Sequence, residues 1–379
     1  MCPIVDFMNA IKKTLSARWP ALHVVLGNES CDLDSAVSAI VYAFLLHSLQ
    51  NGEEAVGVVP VLNIPAGEYP LKTEVTHWLQ KHGILQNSLI FRDEVNLSRL
   101  QEGGSLRVTL VDHHVLPPAD AYLESSVVGV LDHRPLDPNA PTNERVTMIV
   151  EPVGSCCTLV AEQVMAKNPA LLDPVTASLL YGTIILDTVN LNPAAKRVTP
   201  KDIEVASQLA RLMSPPPSSF RIVHHASGGV QELTEAKADV SGLTCDQLLR
   251  KDLKVATGGG LRVGVASVPL RVTDFLGRSE GGRYLAEHLV TQGYQMLLVL
   301  GVTITQETVT RDLAVYCPDT HIREQVTSAL VEGQGGVLQL APQECEDVEG
   351  WVAFRQGNVG ASRKVVMPIL KAWLATRTS

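Results

Sequence analysis

Aromatic residues are scarce in this chain. Phe, Tyr and Trp together make up 4% of 379 residues. Single-stranded nucleic acid is usually held on rings that stack with its bases, and few rings are available. Basic runs are missing as well. Lys plus Arg number 31 against 40 Asp plus Glu, a formal net charge of −9. A scaffold for long nucleic acid needs a cationic face, so that class is excluded. A short oligonucleotide stays open as a substrate. So do other anions, because bound metal cations reverse the local field. The seven cysteines show no Cys-x-x-Cys spacing. An odd count, with Cys156 and Cys157 adjacent, implies neither a zinc ribbon nor a disulfide framework, and it suits a reducing compartment. The longest apolar stretches, near Ala177–Leu186 and Tyr294–Ile304, are too short to span a bilayer. The N-terminal stretch mixes Asp6, Lys12, Lys13 and Arg18 with apolar residues at helical spacing and lacks a signal peptide's apolar centre. A soluble intracellular protein is expected.

What is present reads as an α/β protein of two domains, the number that this length favours. Strands are expected at Leu22–Leu26, Gly57–Leu62, Ser88–Phe91, Leu106–Val111, Val127–Leu131 and Thr147–Val150. Helices are expected at Ser35–Leu49, Glu68–His82, Ser155–Lys167, Pro174–Leu186 and Lys201–Met213. Such alternation argues a mostly parallel sheet flanked by helices. Ser35–Leu49 is apolar nearly all round and should be buried. Ser214–Ser219 holds three prolines and reads as a linker. Beyond it, Leu261–Val268, Tyr294–Ile304 and Val309–Tyr316 read as strands of a second, smaller α/β unit. Its helices are expected at Cys245–Lys254, Val272–Thr291, Asp319–Glu332 and Ser362–Ala375. The expected division is 1–213, a linker over 214–229, and 230–379. No internal repeat is visible.

Acids and imidazoles gather just after the expected strands. Asp32 and Asp34 follow Leu22–Leu26, close to Asn28 and Glu29. Asp112-His113-His114 follows Leu106–Val111, and Asp132-His133-Arg134 follows Val127–Leu131, with the two aspartates 20 residues apart. Asp187 closes the nearly uncharged run Tyr181–Leu186. Strand carboxyl ends are where open α/β sheets place ligands. Carboxylates suit Mg²⁺ or Mn²⁺, and added imidazole tilts the choice toward Mn²⁺ or Co²⁺. Ordinary readings compete: Asp34-Ser35 as a helix N-cap, each Asp-His as a surface pair, Asp187 as a solvated helix end. His224-His225 has no acidic neighbours and reads as a surface pair.

The strings GNESCDLDS, LVDHH, VLDHR and GTIILDT resemble the four motifs of the DHH phosphoesterase superfamily. Within it the likeness is greatest to the Prune-like exopolyphosphatases, with family II inorganic pyrophosphatases more distant. The resemblance covers nearly the whole chain. It implies two divalent ions, Mn²⁺ or Mg²⁺ with Co²⁺ a further candidate, roughly 3.5–4 Å apart and activating water. It implies Asp32 on one ion, Asp34 and His133 on the other, Asp112 bridging and Asp187 completing the set. His113 and His114 are then expected behind the ligands or facing substrate. Asn28 stands where pyrophosphatases carry a His ligand, a feature shared with exopolyphosphatases. Arg134 stands where the family's common motif has a second His; it suits phosphate but cannot act as a general acid.

Ala236-Lys237-Ala238-Asp239 with Ser241–Thr244, and Ser362-Arg363-Lys364, resemble the basic motifs of the family's substrate-closing domain. Lys237, Arg363 and Lys364 are thus expected to clamp phosphate oxygens over a closing interdomain cleft. The implied activity is cleavage of short inorganic polyphosphate or a related phosphate ester. The alternatives are a phosphodiesterase for cyclic nucleotides or short oligonucleotides, and a signalling adaptor with weakened chemistry. The resemblance also implies nucleoside diphosphate kinase as a candidate partner, and a cytoplasmic location with the nucleus as a second one.

Overall fold

The computed structural model describes residues 2–14, 21–50, 56–138, 140, 145–213, 229–278, 282–304, 308–344 and 348–377. The Ser214–Ser219 linker and the His224-His225 pair lie outside the described residues. The chain forms two compact units, Met1–Asp239 and Val240–Ser379.

In the first unit α1 (Pro3–Thr14) precedes β1 (Ala21–Leu26), β2 (Val56–Val61), β3 (Leu106–Val111), β4 (Val127–Asp132) and β5 (Thr147–Val150). All neighbours pair in parallel, in the order β2-β1-β3-β4-β5. Parallel strands are covered on both faces, which is why they read as near-continuous apolar runs. Val24, Val25, Leu26, Val108, Leu110 and Val111 are accordingly buried. The remaining helices are α2 (Leu33–Ser48), α3 (Thr73–Lys81), α4 (Leu97–Glu102), α5 (Cys156–Lys167), α6 (Pro174–Asp187), α7 (Pro200–Leu212) and α8 (Gly229–Ala238). Every residue of α2 from Leu33 to Leu45 is buried, as a helix apolar all round requires. Strand order reverses between β1 and β3. At such a switch point the loops leaving the two strands diverge and open a crevice.

The second unit carries α9 (Cys245–Lys251), β6 (Leu253–Gly258), β7 (Leu261–Val268), α10 (Val272–Arg278), α11 (Arg283–Gln292), β8 (Met296–Ile304), β9 (Val309–Tyr316), α12 (Thr320–Gly336), β10 (Leu340–Gln343), β11 (Trp351–Gln356) and α13 (Arg363–Thr376). Its sheet runs β10-β11-β9-β8-β7-β6, and only β7 and β8 are parallel. Separate apolar clusters form around Phe275 and around Leu370.

Several elements differ from the sequence reading. Ser88–Phe91 is no strand; a 3-10 turn over Gln86–Ser88 leads to a single parallel bridge between Leu62 and Phe91. The helix expected over Glu68–His82 divides into a 3-10 turn, Ala66–Leu71, and α3, because Pro70 cannot sustain a regular helix. Cys245–Lys254 stops at Lys251, and Leu253 opens β6. Val272–Thr291 is two helices, with Gly282 left-handed at φ 84° before the second. Among the described residues, no helix is long and apolar enough to cross a membrane.

Candidate metal centre

The loops at the switch point bring acids and one imidazole together. Asp32 caps α2, its Oδ1 accepting from Ser35 N at 3.2 Å. Asp34, in the first turn of α2, turns toward the N-terminus of α5. Its carboxylate accepts from Cys156 N at 2.7 Å, Cys157 N at 2.8 Å and Ser155 Oγ at 2.9 Å. A helix N-terminus offers free N–H groups and a positive dipole end, so it holds an acid well.

Asp112 leaves β3 in the left-handed region, φ 60°, which Asp tolerates better than most residues. Its N–H donates to Leu131 O at 2.9 Å. The Asn28 amide donates to its Oδ2 at 2.7 Å. His133 follows β4 and places Nδ1 3.0 Å from Val153 O. A proton on Nδ1 satisfies that carbonyl and leaves Nε2 as a free donor for a metal. Nε2 lies 3.3 Å from Asp112 Oδ1 and 3.8 Å from Asp34 Oδ2. One ligand atom from each of Asp34, Asp112 and His133 falls within 4.8 Å of the others. These three residues line a cleft of about 680 Å³ together with Asp32, Asp187 and Arg134.

The electrostatics suit a site that takes a cation. Burial, and then the nearby Asp34 carboxylate, pushes Asp112 up to about 7. The same two causes, in that order, raise Asp187 well above the carboxylate range. Burial opposes a charge on His133, yet Asp112 and Asp34 override it and lift the imidazole to about 9. Like charges crowded in a buried site shift pKa values in this way. Asp112 Oδ1 and Asp187 Oδ2 are buried without a hydrogen-bond partner, although Arg134 Nη2 and His133 Nε2 each lie 3.3 Å from the former. Buried acceptors left unpaired are costly. Carboxylate oxygens with one imidazole fit a hard or borderline divalent ion, and the residues present therefore suit the metal that the motifs imply.

The other candidates are placed as follows. Arg134 reaches back over Asp112, donating to its carbonyl. Asn28 braces Asp112 through its amide and also accepts from Ser30 N at 2.9 Å, so its oxygen is already engaged. His113 and His114 are not among the cleft-lining residues. His113 Nδ1 meets Val111 O at 2.9 Å. His114 is clasped between the Asp132 carboxylate and Asp137 N. Lys237 lies on α8 in the first unit, 4.0 Å from Glu74. In the second unit Arg363 is paired with Asp252, and Lys364 is exposed. Sequence reasoning singled out the Asp132-His133-Arg134 string but gave Asp132 no role of its own; its Oδ1 accepts from His133 N at 2.7 Å and fixes the loop. Sequence reasoning missed Lys196 and Arg197, which line the cleft; a Lys-Arg pair soon after Asp187 was the available signal.

Residues 23–184 match the family model described as the DHH family, N-terminal domain, and residues 231–373 match that of the DHHA2 domain. Exopolyphosphatase PRUNE1 of Homo sapiens is 39% identical over 374 residues, which cover 98% of this chain and 79% of the human protein. This chain belongs to the Prune exopolyphosphatase family. The Bos taurus Prune protein of the same description is 41% identical, over 98% of this chain and 79% of its own. A manganese-dependent inorganic pyrophosphatase of Methanocaldococcus jannaschii is 24% identical, over 93% of this chain and 99% of its own. In this Prune-family chain the literal Asp-His-His string contributes Asp112 to the cluster. The clustered imidazole comes from Asp132-His133-Arg134 instead.

Proposed function

We propose that the chain is a metal-dependent phosphoanhydride hydrolase that cleaves short inorganic polyphosphates. The observation that carries this reading is the convergence of Asp34, Asp112 and His133 on one cleft, where Asp112 Oδ1 and Asp187 Oδ2 are buried without a hydrogen-bond partner. Asp32, Asp34, Asp112, His133 and Asp187 would hold two divalent ions, Mn²⁺ in the first place, with Mg²⁺ and Co²⁺ as substitutes. Such ions supply Lewis acidity, which acidifies water and polarises a phosphoryl oxygen. The protein's own part is positional. Val153 O sets the His133 tautomer, Asn28 and the α5 N-terminus aim the carboxylates, and Arg134 brings a forked donor to phosphate oxygens. Lys237, Arg363 and Lys364 are proposed as further phosphate-binding cations, carried by residues 230–379.

A cyclic-nucleotide or oligonucleotide phosphodiesterase is the second reading. Among the described residues no Phe, Tyr or Trp lines the cleft, so they offer a base no ring to stack on, and this favours inorganic polyphosphate. The third reading is an adaptor for a partner such as nucleoside diphosphate kinase. The test is phosphate release from tri- and tetraphosphate, pyrophosphate and cyclic AMP with each metal in turn. Turnover of the inorganic chains, lost to chelator and restored by Mn²⁺ or Mg²⁺, is expected. No release from any of them by the metal-loaded protein, with partner binding indifferent to metal, would give the adaptor reading the site instead.

A further inference from the structure

The loop between α6 and α7 carries two cations that the metal centre leaves unused. Lys196 and Arg197 line the same cleft as Asp34, Asp112, His133 and Asp187. Both are exposed. Neither side chain makes an ion pair or hydrogen bond to another described residue. Most solvated cations need no further account, but these two are mounted on costly backbone. Val189, Asn190, Leu191 and Lys196 are left-handed, at φ 51°, 61°, 54° and 55°, a conformation that side chains bearing Cβ avoid. It persists because the loop is pinned on both sides. Asn190 N donates to Ile185 O at 2.8 Å and Asn192 N to Thr188 O at 3.1 Å. At the far end the fully buried Asp202 accepts from Thr199 N at 2.7 Å, Gly154 N at 2.9 Å and Thr158 Oγ1 at 2.6 Å. Strain held in place by its surroundings marks a segment whose position matters.

Charge and volume say what the pair faces. Two divalent ions bring four positive charges, which balance the four carboxylates lining the cleft. Arg134, Lys196 and Arg197 are then left over for an anion. At about 680 Å³ the cleft exceeds what one phosphoryl group fills, since a water takes roughly 30 Å³ of liquid volume.

We propose that Lys196 and Arg197 form an anion subsite on the first unit that holds the inner phosphates of a polyphosphate chain. The inference rests on the polyphosphatase reading and deepens it: the pair would select chains longer than pyrophosphate. The test compares Lys196→Gln/Arg197→Gln with wild type, both metal-loaded, with metal content confirmed by elemental analysis. The quantity read is kcat/KM for tripolyphosphate divided by that for pyrophosphate. It is expected to fall about tenfold, the loss of charge-assisted bonds to one added phosphate, and to recover in Lys196→Arg/Arg197→Lys. Calorimetric binding of imido-bridged tri- and diphosphate analogues supplies a readout that needs no turnover. A fall confined to the triphosphate analogue supports the subsite even where wild type hydrolyses neither substrate, in which case the polyphosphatase reading alone fails. An unchanged ratio together with equal analogue affinities, in a protein that hydrolyses both substrates, overturns the subsite alone.

Discussion

At the residue scale, the acids crowded and buried in the centre are expected to cost stability whenever no ion is bound. Asp187 and Asp112 are held protonated-leaning by burial and by neighbouring acids. Asp187→Asn removes one acid from that crowd. The metal-free variant is expected to melt a few degrees higher than wild type. Added Mn²⁺ should no longer raise its melting point, because ligand-linked stabilisation requires a site. Hydrolysis should fall at least about 100-fold. Thermal scans with and without Mn²⁺ read both effects, and a variant that still gains stability from Mn²⁺ would remove Asp187 from the ligand set.

His23 gives a second test, remote from the metal. It sits in β1 with Nε2 2.8 Å from Thr109 Oγ1. Burial, and then Arg107, lowers it to about 4, while the unfolded value is about 6.5. The unfolded chain therefore takes up the proton first as pH drops. The contribution is fully present above about pH 6.5 and is lost as pH falls toward 4, by about 3 kcal/mol in all. His23→Gln should flatten the pH dependence of the urea midpoint over that window. A slope equal to wild type would mean that His23 charges freely in the fold. The sequence made Asp34, Asp112 and His133 visible because each follows a strand with recognisable apolar residues. The brace formed by His114 and Asp132 was not visible: an Asp-His string looks the same whether it holds an ion or a loop.

At the scale of elements, the parallel strands were the most legible parts. Buried parallel strands leave uninterrupted apolar runs, and β1, β3, β4 and β5 begin and end within a residue of the sequence reading. β10 and β11 escaped, since LAPQ carries little apolar signal and its only partner among the described strands of the sheet is the antiparallel Trp351–Gln356. Lys196 and Arg197 escaped because an irregular loop has no period to read. Packing between helices was equally silent in the sequence. Gly182 in α6 is an example. A Cβ there would meet Trp78 ring carbons of α3 at 2.2 and 2.7 Å, and the indole is fixed by its N–H to Leu179 O at 3.3 Å. Gly182→Ala should cost about 1–3 kcal/mol through overpacking, measured as a lowered urea midpoint for the first unit. An unchanged midpoint would show that Trp78 can move aside.

At the scale of the whole molecule, the two units have different duties in the proposed chemistry. Every cleft-lining acid belongs to the first unit, whereas Arg363 and Lys364 belong to the second. Arg363→Ala is expected to raise KM for tripolyphosphate about tenfold and to leave metal content at the wild-type level by elemental analysis. Loss of metal on that change would break the division of labour. Asp252 already engages the Arg363 guanidinium, so Asp252→Asn should shift KM in the opposite direction, by freeing the cation for phosphate.

The hold of the α5 N-terminus on Asp34 has a consequence for how occupancy can be watched. The Cys156 and Cys157 amides donate to a carboxylate more than a hundred positions earlier in the chain. Their protons can leave only when that long-range clasp opens. An ion seated against Asp34 would have to be released first, so Mn²⁺ should slow deuterium uptake at those two amides. Amides in the strands of the second unit should keep their metal-free rates. The backbone at a helix start thus serves as a built-in gauge of metal loading, readable by exchange mass spectrometry without any substrate.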